Sequence, residues 1–163
     1  MNGDAITVVE ADLEKPAHQQ AILELTDTYA RDPMGQGGPL SARVRGTLIA
    51  ALRRHPTTHI FLAFAQSEAV GIATCFRGFS SFHAQPLLNI HDLAIKPGRR
   101  GQGIGRQLLD VVAQRARDLG CYSVTLEVGG NNRNARALYE AVGFRQAGSD
   151  EAVGPMVFMS KKL

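Results

Sequence analysis

Tryptophan is absent, cysteine occurs twice, aromatic residues make up only 6% of the chain, and no long apolar run is present. Each shortage excludes something. Cys75 and Cys121 are far apart and outside any C-x-x-C spacing, which argues for two plain buried thiols and against zinc or dithiol redox chemistry. A nucleic-acid partner would ask for a concentrated basic face interleaved with aromatics. The net charge is only +3 with the basic residues dispersed, so no nucleic acid is expected and local attraction for an anionic ligand fits better. No apolar stretch approaches the roughly 18 residues of a membrane helix. The opening MNGDAITVVEADLEK is acidic where a signal peptide is basic, so a cytoplasmic location away from the membrane is expected. What remains, 163 residues with 44% hydrophobic and 20% charged, reads as one globular domain over 1–163.

The patterning alternates between two periods. Ala5–Val9 is a β-branched strand, and Ile22, Leu25, Thr26 and Tyr29 recur at helical spacing within 17–29. Arg31–Leu40 is too rich in Gly and Pro for a regular element, and Ser41 is a candidate N-cap for a helix carrying Val44, Leu48, Ala51 and Leu52. His59–Ala65 and Ala69–Phe76, joined by a polar turn, read as an antiparallel hairpin. In the strand Pro86–Ile95, alternation puts Asn89, His91 and Leu93 on one face and Ile90, Asp92 and Ala94 on the other. An amphipathic helix over 105–119 ends at Gly120, followed by a strand over 122–128, a short helix over 134–142 closed by Gly143, and a last strand over 157–160. The order is that of a mixed α+β domain around one sheet.

RRGQGIGRQLLD, from Arg99 to Asp110, is the most informative stretch. A P-loop needs a Lys and then a Ser or Thr after its last glycine, but Gly105 precedes Arg106 and Gln107. The interval from Gly103 to Gly105 is likewise too short for a dinucleotide fingerprint. What is left is a strand, a turn through Lys96 and Pro97, and glycines opening a helix. Backbone amides can then converge on one concavity, aided by the helix N-terminus and by Arg99 or Arg100, which suits a pyrophosphate. Alone, the turn reads equally well as a glycine-rich connection with solvated arginines.

Two motifs in order break the tie. Arg100, Gly103 and Gly105 follow the spacing Arg/Gln, two residues, Gly, one residue, Gly/Ala. Downstream, Asn132-Arg-Asn-Ala-Arg-Ala-Leu-Tyr139-Glu-Ala-Val-Gly-Phe144 sets an Asn before a helix that bears a Tyr and ends in Gly-Phe. The chain thereby resembles the GNAT (GCN5-related N-acetyltransferase) superfamily, best over 88–144. The resemblance implies the acyl-CoA N-acyltransferase fold, a mostly antiparallel central sheet with two splayed parallel strands flanked by helices. It also implies acetyl-CoA as cosubstrate and no metal. The backbone of Leu93, Ala94 and Ile95 would pair with the pantetheine arm. Arg100, Gly101, Gln102, Gly103, Ile104, Gly105 and Arg106 would hold the pyrophosphate, with Asn132 and Asn134 supporting the cofactor from the second motif. Tyr139 resembles the tyrosine that donates to the departing thiolate, a role open to a phenol because it stays protonated at neutral pH.

The attacking amine must lose a proton, and His91 is the candidate base, because an imidazole with a reference pKa near 6.5 is largely neutral at cellular pH. Its position resembles that of a histidine in arylalkylamine acetyltransferases and of a glutamate in diamine acetyltransferases; a histidine satisfied within the sheet is the plainer alternative. Asp92 and Asn89 are candidates for contact with the amine. Phe79 and Phe82, with the serines between them, could line an acceptor pocket or simply clip a hairpin to the core. Asp32 and Met34, in the loop between the first helices, are further candidate contacts. The expected activity is acetyl transfer to a primary amine of a small molecule by direct attack in a ternary complex. A noncatalytic acyl-CoA-binding module and a protein or peptide N-acetyltransferase are the alternatives, and relatives of this kind suggest a homodimer, with GPMVFMSKKL as a strand to exchange.

Overall fold

A computed structural model describes residues 5–146 and 157–163. In chain order the elements are β1 (Ile6–Glu10), α1 (Pro16–Arg31), α2 (Ala42–Arg54), β2 (Thr58–Ala65), β3 (Glu68–Ser80), β4 (Gln85–Ile95), a single 3₁₀ turn (Pro97–Arg99), α3 (Ile104–Asp118), β5 (Ser123–Leu126) and α4 (Arg133–Ala141). The strands form one sheet in the order β1-β2-β3-β4-β5, antiparallel except for the parallel β4–β5 pair. Parallel neighbours need a crossover, and α3 supplies it.

Helices cover both faces of this sheet. On one face α3 buries Ile104, Leu108, Val112 and Ala116, a row at i, i+4, i+8 and i+12, against Phe61, Ala63, Val70, Ala73, Leu88 and Ile90. On the other, Ala21, Ile22 and Leu25 of α1 and Leu52 of α2 pack on Ile60, Leu62 and Ile72. Each fully buried Leu or Ile contributes roughly 1.5–3 kcal/mol, so the three-layer arrangement rests on these two clusters. Ser41 caps α2 as expected, its Oγ accepting from Val44 N at 3.2 Å. None of the helices of the described residues is long and apolar enough to cross a membrane.

Two expectations fail. The hairpin β3–β4 runs out to Ser80 and Gln85, so Phe79 belongs to a strand end and not to a loop. The last strand over 157–160 is absent: residues 157–163 are irregular, and Val157, Phe158 and Met159 are at least 76% exposed. A short apolar run alone does not make a strand without a partner edge. Residues 147–156 lie outside the description, including the Gly-Pro-Met that precedes this stretch.

The distance between β3 and α3 is set by Gly71. A Cβ there would stand 2.8 Å from Ile95 Cδ1, 3.1 Å from Leu108 Cδ1 and 3.2 Å from Ile104 Cγ2. Gly71→Ala is therefore expected to destabilise the protein by about 1–3 kcal/mol in urea unfolding, opposite in sign to the usual effect of removing a strand glycine. An unchanged or raised midpoint would contradict this packing.

Candidate active site

The sequence alternation in β4 is broken by one extra residue. Asp92 pairs with Thr74 and Ile90 with Cys75, leaving His91 unmatched, which is a β-bulge. Ile90 and Leu93, three apart, both pack on the α3 side. His91, whose ring lies edge-on to Phe76 with centroids 5.8 Å apart, shares the α1 side with Asp92. The expectation that His91 and Asp92 face opposite ways is thus overturned: the bulge turns two successive side chains to one face. Asn89 joins them there, its Nδ2 donating to Thr125 Oγ1 at 3.1 Å.

Pairing of β4 with β5 covers only Leu87–Ile90 against Ser123–Leu126. Beyond that point β5 has ended while β4 continues to Ile95, so among the described residues the β5-side edge of β4 from His91 to Ile95 carries no strand. Glu127 and Val128, expected in the strand, have left the sheet. An unpaired edge bounded by helices is a place where an extended ligand can add as a strand.

This edge runs into the glycine turn. Gly101 and Gly103 have φ of 77° and 78°, and a Cβ at either would meet nothing within 4 Å, so the turn borders open space. Gly103 caps α3 without any side-chain hydrogen bond, so the first-turn amides of Ile104, Gly105 and Arg106 keep the orphan donors of a helix start. Gly105 serves packing instead: a Cβ would lie 2.8 Å from Leu138 Cδ2, so its absence lets α4 close on α3. Both arginines before the turn are engaged by carboxylates. Arg99 Nη2 meets Glu68 Oε2 at 2.6 Å, alongside Lys96 Nζ on Oε1 at 3.1 Å. Arg100 Nη2 meets Asp32 Oδ2 at 2.6 Å, and its Nε donates to Ile95 O at 3.3 Å. These partners hold the carboxyls of Asp32 and Glu68 below the usual carboxylate range, with the arginine hydrogen bond the first cause in each.

On the α1 side of β4 a cavity of about 290 Å³ is lined by Thr26, Tyr29, Ala30, Met34, Gly35, Gln36 and Asp92. Asp92 is its one charged lining group. Burial pushes the Asp92 carboxyl above its ordinary value, against a smaller opposite pull from His91. Tyr29 is raised by burial and by the charges of Asp92 and Asp32. Tyr139, 9% exposed, is pushed up to about 12, chiefly by burial and next by Tyr29. Tyr29 lines the cavity with Asp92, whereas Tyr139 lies in the core cluster on the α3 side, its ring 5.8 Å from that of Phe144.

Of the expected site residues, Asp92 and Met34 line this cavity, His91 and Asn89 share the α1 side of β4 with Asp92, and the backbone of Leu93, Ala94 and Ile95 leads on to the turn Gly101–Arg106, while Tyr139 is buried in the core cluster on the α3 side. Asp32 sits beside the cavity, bound to Arg100. The Asn132 side chain is spent as the N-cap of α4, accepting from Ala135 N at 3.2 Å, and Asn134 is exposed in the first turn. Phe79 and Phe82, 66% and 98% exposed, stand at the far end of the hairpin, six or more residues along from Asp92 and outside the cavity. Thr26, Tyr29, Gly35 and Gln36 were not anticipated as lining groups. A signal existed for the first two: both carry a hydroxyl on the helical face otherwise assigned to the core. Among the described residues no cluster of three or more His, Cys, Asp or Glu is placed to hold a metal.

The model of the acetyltransferase (GNAT) family matches residues 21–144. An aminoalkylphosphonate N-acetyltransferase from Salmonella typhimurium is 33% identical over 92 residues, 56% of this chain and 60% of that protein. A thialysine N-epsilon-acetyltransferase from Caenorhabditis elegans is 35% identical over 86 residues, 53% of each. The chain thus spans only a little over half the length of these relatives. Among solved structures, a probable acetyltransferase superposes with a TM-score of 0.77 at 25% identity, over 96% of this chain and 99% of that one.

Because the Asp92 carboxyl holds its proton more tightly in the folded protein than in the unfolded chain, ionising it costs stability as pH rises above the ordinary value of 3.8. Asp92→Asn is expected to raise the thermal midpoint at pH 7.5, the gain shrinking as pH falls toward that value. A variant less stable than wild type at pH 7.5 would contradict the desolvated carboxylate.

Proposed function

The chain belongs to the acetyltransferase (GNAT) family, and from that premise we propose that it transfers an acetyl group from acetyl-CoA to the primary amine of a small molecule, within a single domain and in a ternary complex. One observation carries this reading: the open β4 edge leads without interruption from the Asp92 cavity to the glycine turn. The residues fit the cosubstrate. The backbone groups of Leu93 and Ala94 and the N–H of Ile95, whose carbonyl is held by Arg100 Nε, would receive an extended amide-bearing arm, and the amides of Gly101, Gln102, Gly103, Ile104, Gly105 and Arg106 would receive its pyrophosphate. With Arg99 and Arg100 neutralised, backbone donors, the α3 dipole and Arg106 supply that attraction. Acetyl-CoA would contribute the thioester carbonyl and the thiolate leaving group.

The protein groups then divide the work. Asp92 holds the incoming ammonium in the cavity, where a partly buried carboxylate binds a cation more strongly than in water. His91, beside it and exposed, is the base that returns the proton to solvent. Tyr139 points its chemistry at sulfur. With the phenol at about 12 and a thiol near 8.5, full proton transfer to the thiolate is uphill, so Tyr139 stabilises the developing charge by hydrogen bonding. The amines named for the two relatives, an aminoalkylphosphonate and thialysine, are both small, which supports a small acceptor.

CoA-thiol release across a panel of diamines, thialysine, aminoalkylphosphonates, arylalkylamines and short peptides tests the reading. Tyr139→Phe is expected to lower kcat by roughly 10- to 100-fold with KM little changed. His91→Ala is expected to lower kcat at pH 7.5 while acetyl-CoA affinity stays unchanged. Acetyl-CoA binding without turnover on any amine would favour the noncatalytic module, and activity confined to peptides would favour a protein acetyltransferase.

A further inference from the structure

The cavity has two walls from different parts of the chain: Met34, Gly35 and Gln36 from the loop after α1, and Asp92 from β4. The loop is folded back on its own helix. Gln36 N and Gly38 N donate to Ala30 O, Leu40 N donates to Asp27 Oδ1, and Met34 N donates to Asp32 Oδ1 at 2.9 Å. At Gly35 the chain passes so close to α1 that a Cβ would lie 2.1 Å from Tyr29 O. Asp32 thus turns the loop with one carboxylate oxygen and extends the other to Arg100 Nη2. Arg100 Nε reaches Ile95 O, three residues beyond Asp92 on the same strand. A single planar guanidinium therefore ties the loop wall to the end of the strand wall.

We propose that Asp32 and Arg100 form a clasp that positions the loop wall of the amine cavity, and that the Arg100 side chain serves the acceptor side of the site in preference to the pyrophosphate. This rests on the reading of the cavity as the acceptor site. Two of the three guanidinium nitrogens are committed to Asp32 and Ile95, and the Asp32 side chain is only 13% exposed, so the pair is shielded on one side. Both residues are positioning residues. A lysine at 100 could meet Asp32 or Ile95 O, but lacks the fork to hold both in one plane.

Three measurements on Arg100→Gln, Asp32→Asn and the double variant test the clasp: the acceptor KM and kcat, calorimetric acetyl-CoA affinity, and hydrogen exchange at the amides of residues 34–40. Each single variant is expected to raise acceptor KM about fivefold while kcat and acetyl-CoA affinity stay within about twofold, the scale of one well-formed, partly shielded ion pair. The double variant should be no worse than either single, and exchange over 34–40 should quicken equally in all three. Arg100→Lys should recover part of the loss and Asp32→Glu less, because the longer acid breaks the turn at Met34. A loss of acetyl-CoA affinity of about tenfold in Arg100→Gln alone would make Arg100 a phosphate ligand and overturn the proposal. So would multiplicative effects or unchanged exchange. If the wild type acetylates no amine, the acceptor reading fails, while the exchange data still decide whether the clasp exists.

Discussion

One additional residue in β4 governs where Asp92 lies. By inserting His91 opposite no partner, the strand changes phase: Leu88 and Ile90 before the bulge, and Leu93 and Ile95 after it, still reach the α3 core. The cost of the inserted residue is that its neighbours cannot alternate, so Asp92 is carried to the α1 side and over a cavity. Without the bulge, either Asp92 would enter the hydrophobic core or Leu93 would leave it, and neither is tolerable in a close-packed interior. The departure of β5 at Leu126 completes the arrangement, because it leaves the bulged half of β4 with a free edge just where Asp92 is presented.

Electrostatics at the two ends of that edge differ in kind. At the turn, the full charges of Arg99 and Arg100 are already matched by Glu68 and Asp32, and what points outward is backbone: glycine amides and the uncapped start of α3. Such donors are fixed in place and lose little freedom when an anion arrives. At the cavity, by contrast, the Asp92 carboxyl stands in a partly buried place that disfavours its charged form. Glycine carries structural duties as well, since Gly71 and Gly105 set how closely α3 meets β3 and α4.

Much of this was legible in the sequence. The periodicities marked the approximate places of the nine strands and α-helices of the described residues but not the 3₁₀ turn, and the glycine spacing together with the Asn132–Phe144 motif marked the family. The bulge was not legible, because Asn89, Ile90, His91, Asp92, Leu93 read as a regular strand, and a phase change shows only when both flanks are seen packed on one core. Partnerships such as Asp32 with Arg100, 68 residues apart, have no local signature. Phe79 and Phe82 lie at the far end of the hairpin, away from the Asp92 cavity, and Phe79 lines a separate cavity with Thr57, Arg77, Gly78 and Pro86. The stretch over 157–160 has strand-like composition, yet in the described structure no edge receives it.

The central claim is that the bulged half of β4 and the glycine turn form one continuous surface for an extended, pyrophosphate-bearing thioester. Titrating the isotope-labelled protein with acetyl-CoA and following backbone amide resonances tests it most directly. The expected result is saturable shifts concentrated at His91–Ile95 and Gly101–Arg106, with the paired stretch Leu87–Ile90 little affected. Shifts confined to other surfaces, or none at millimolar acetyl-CoA, would contradict it.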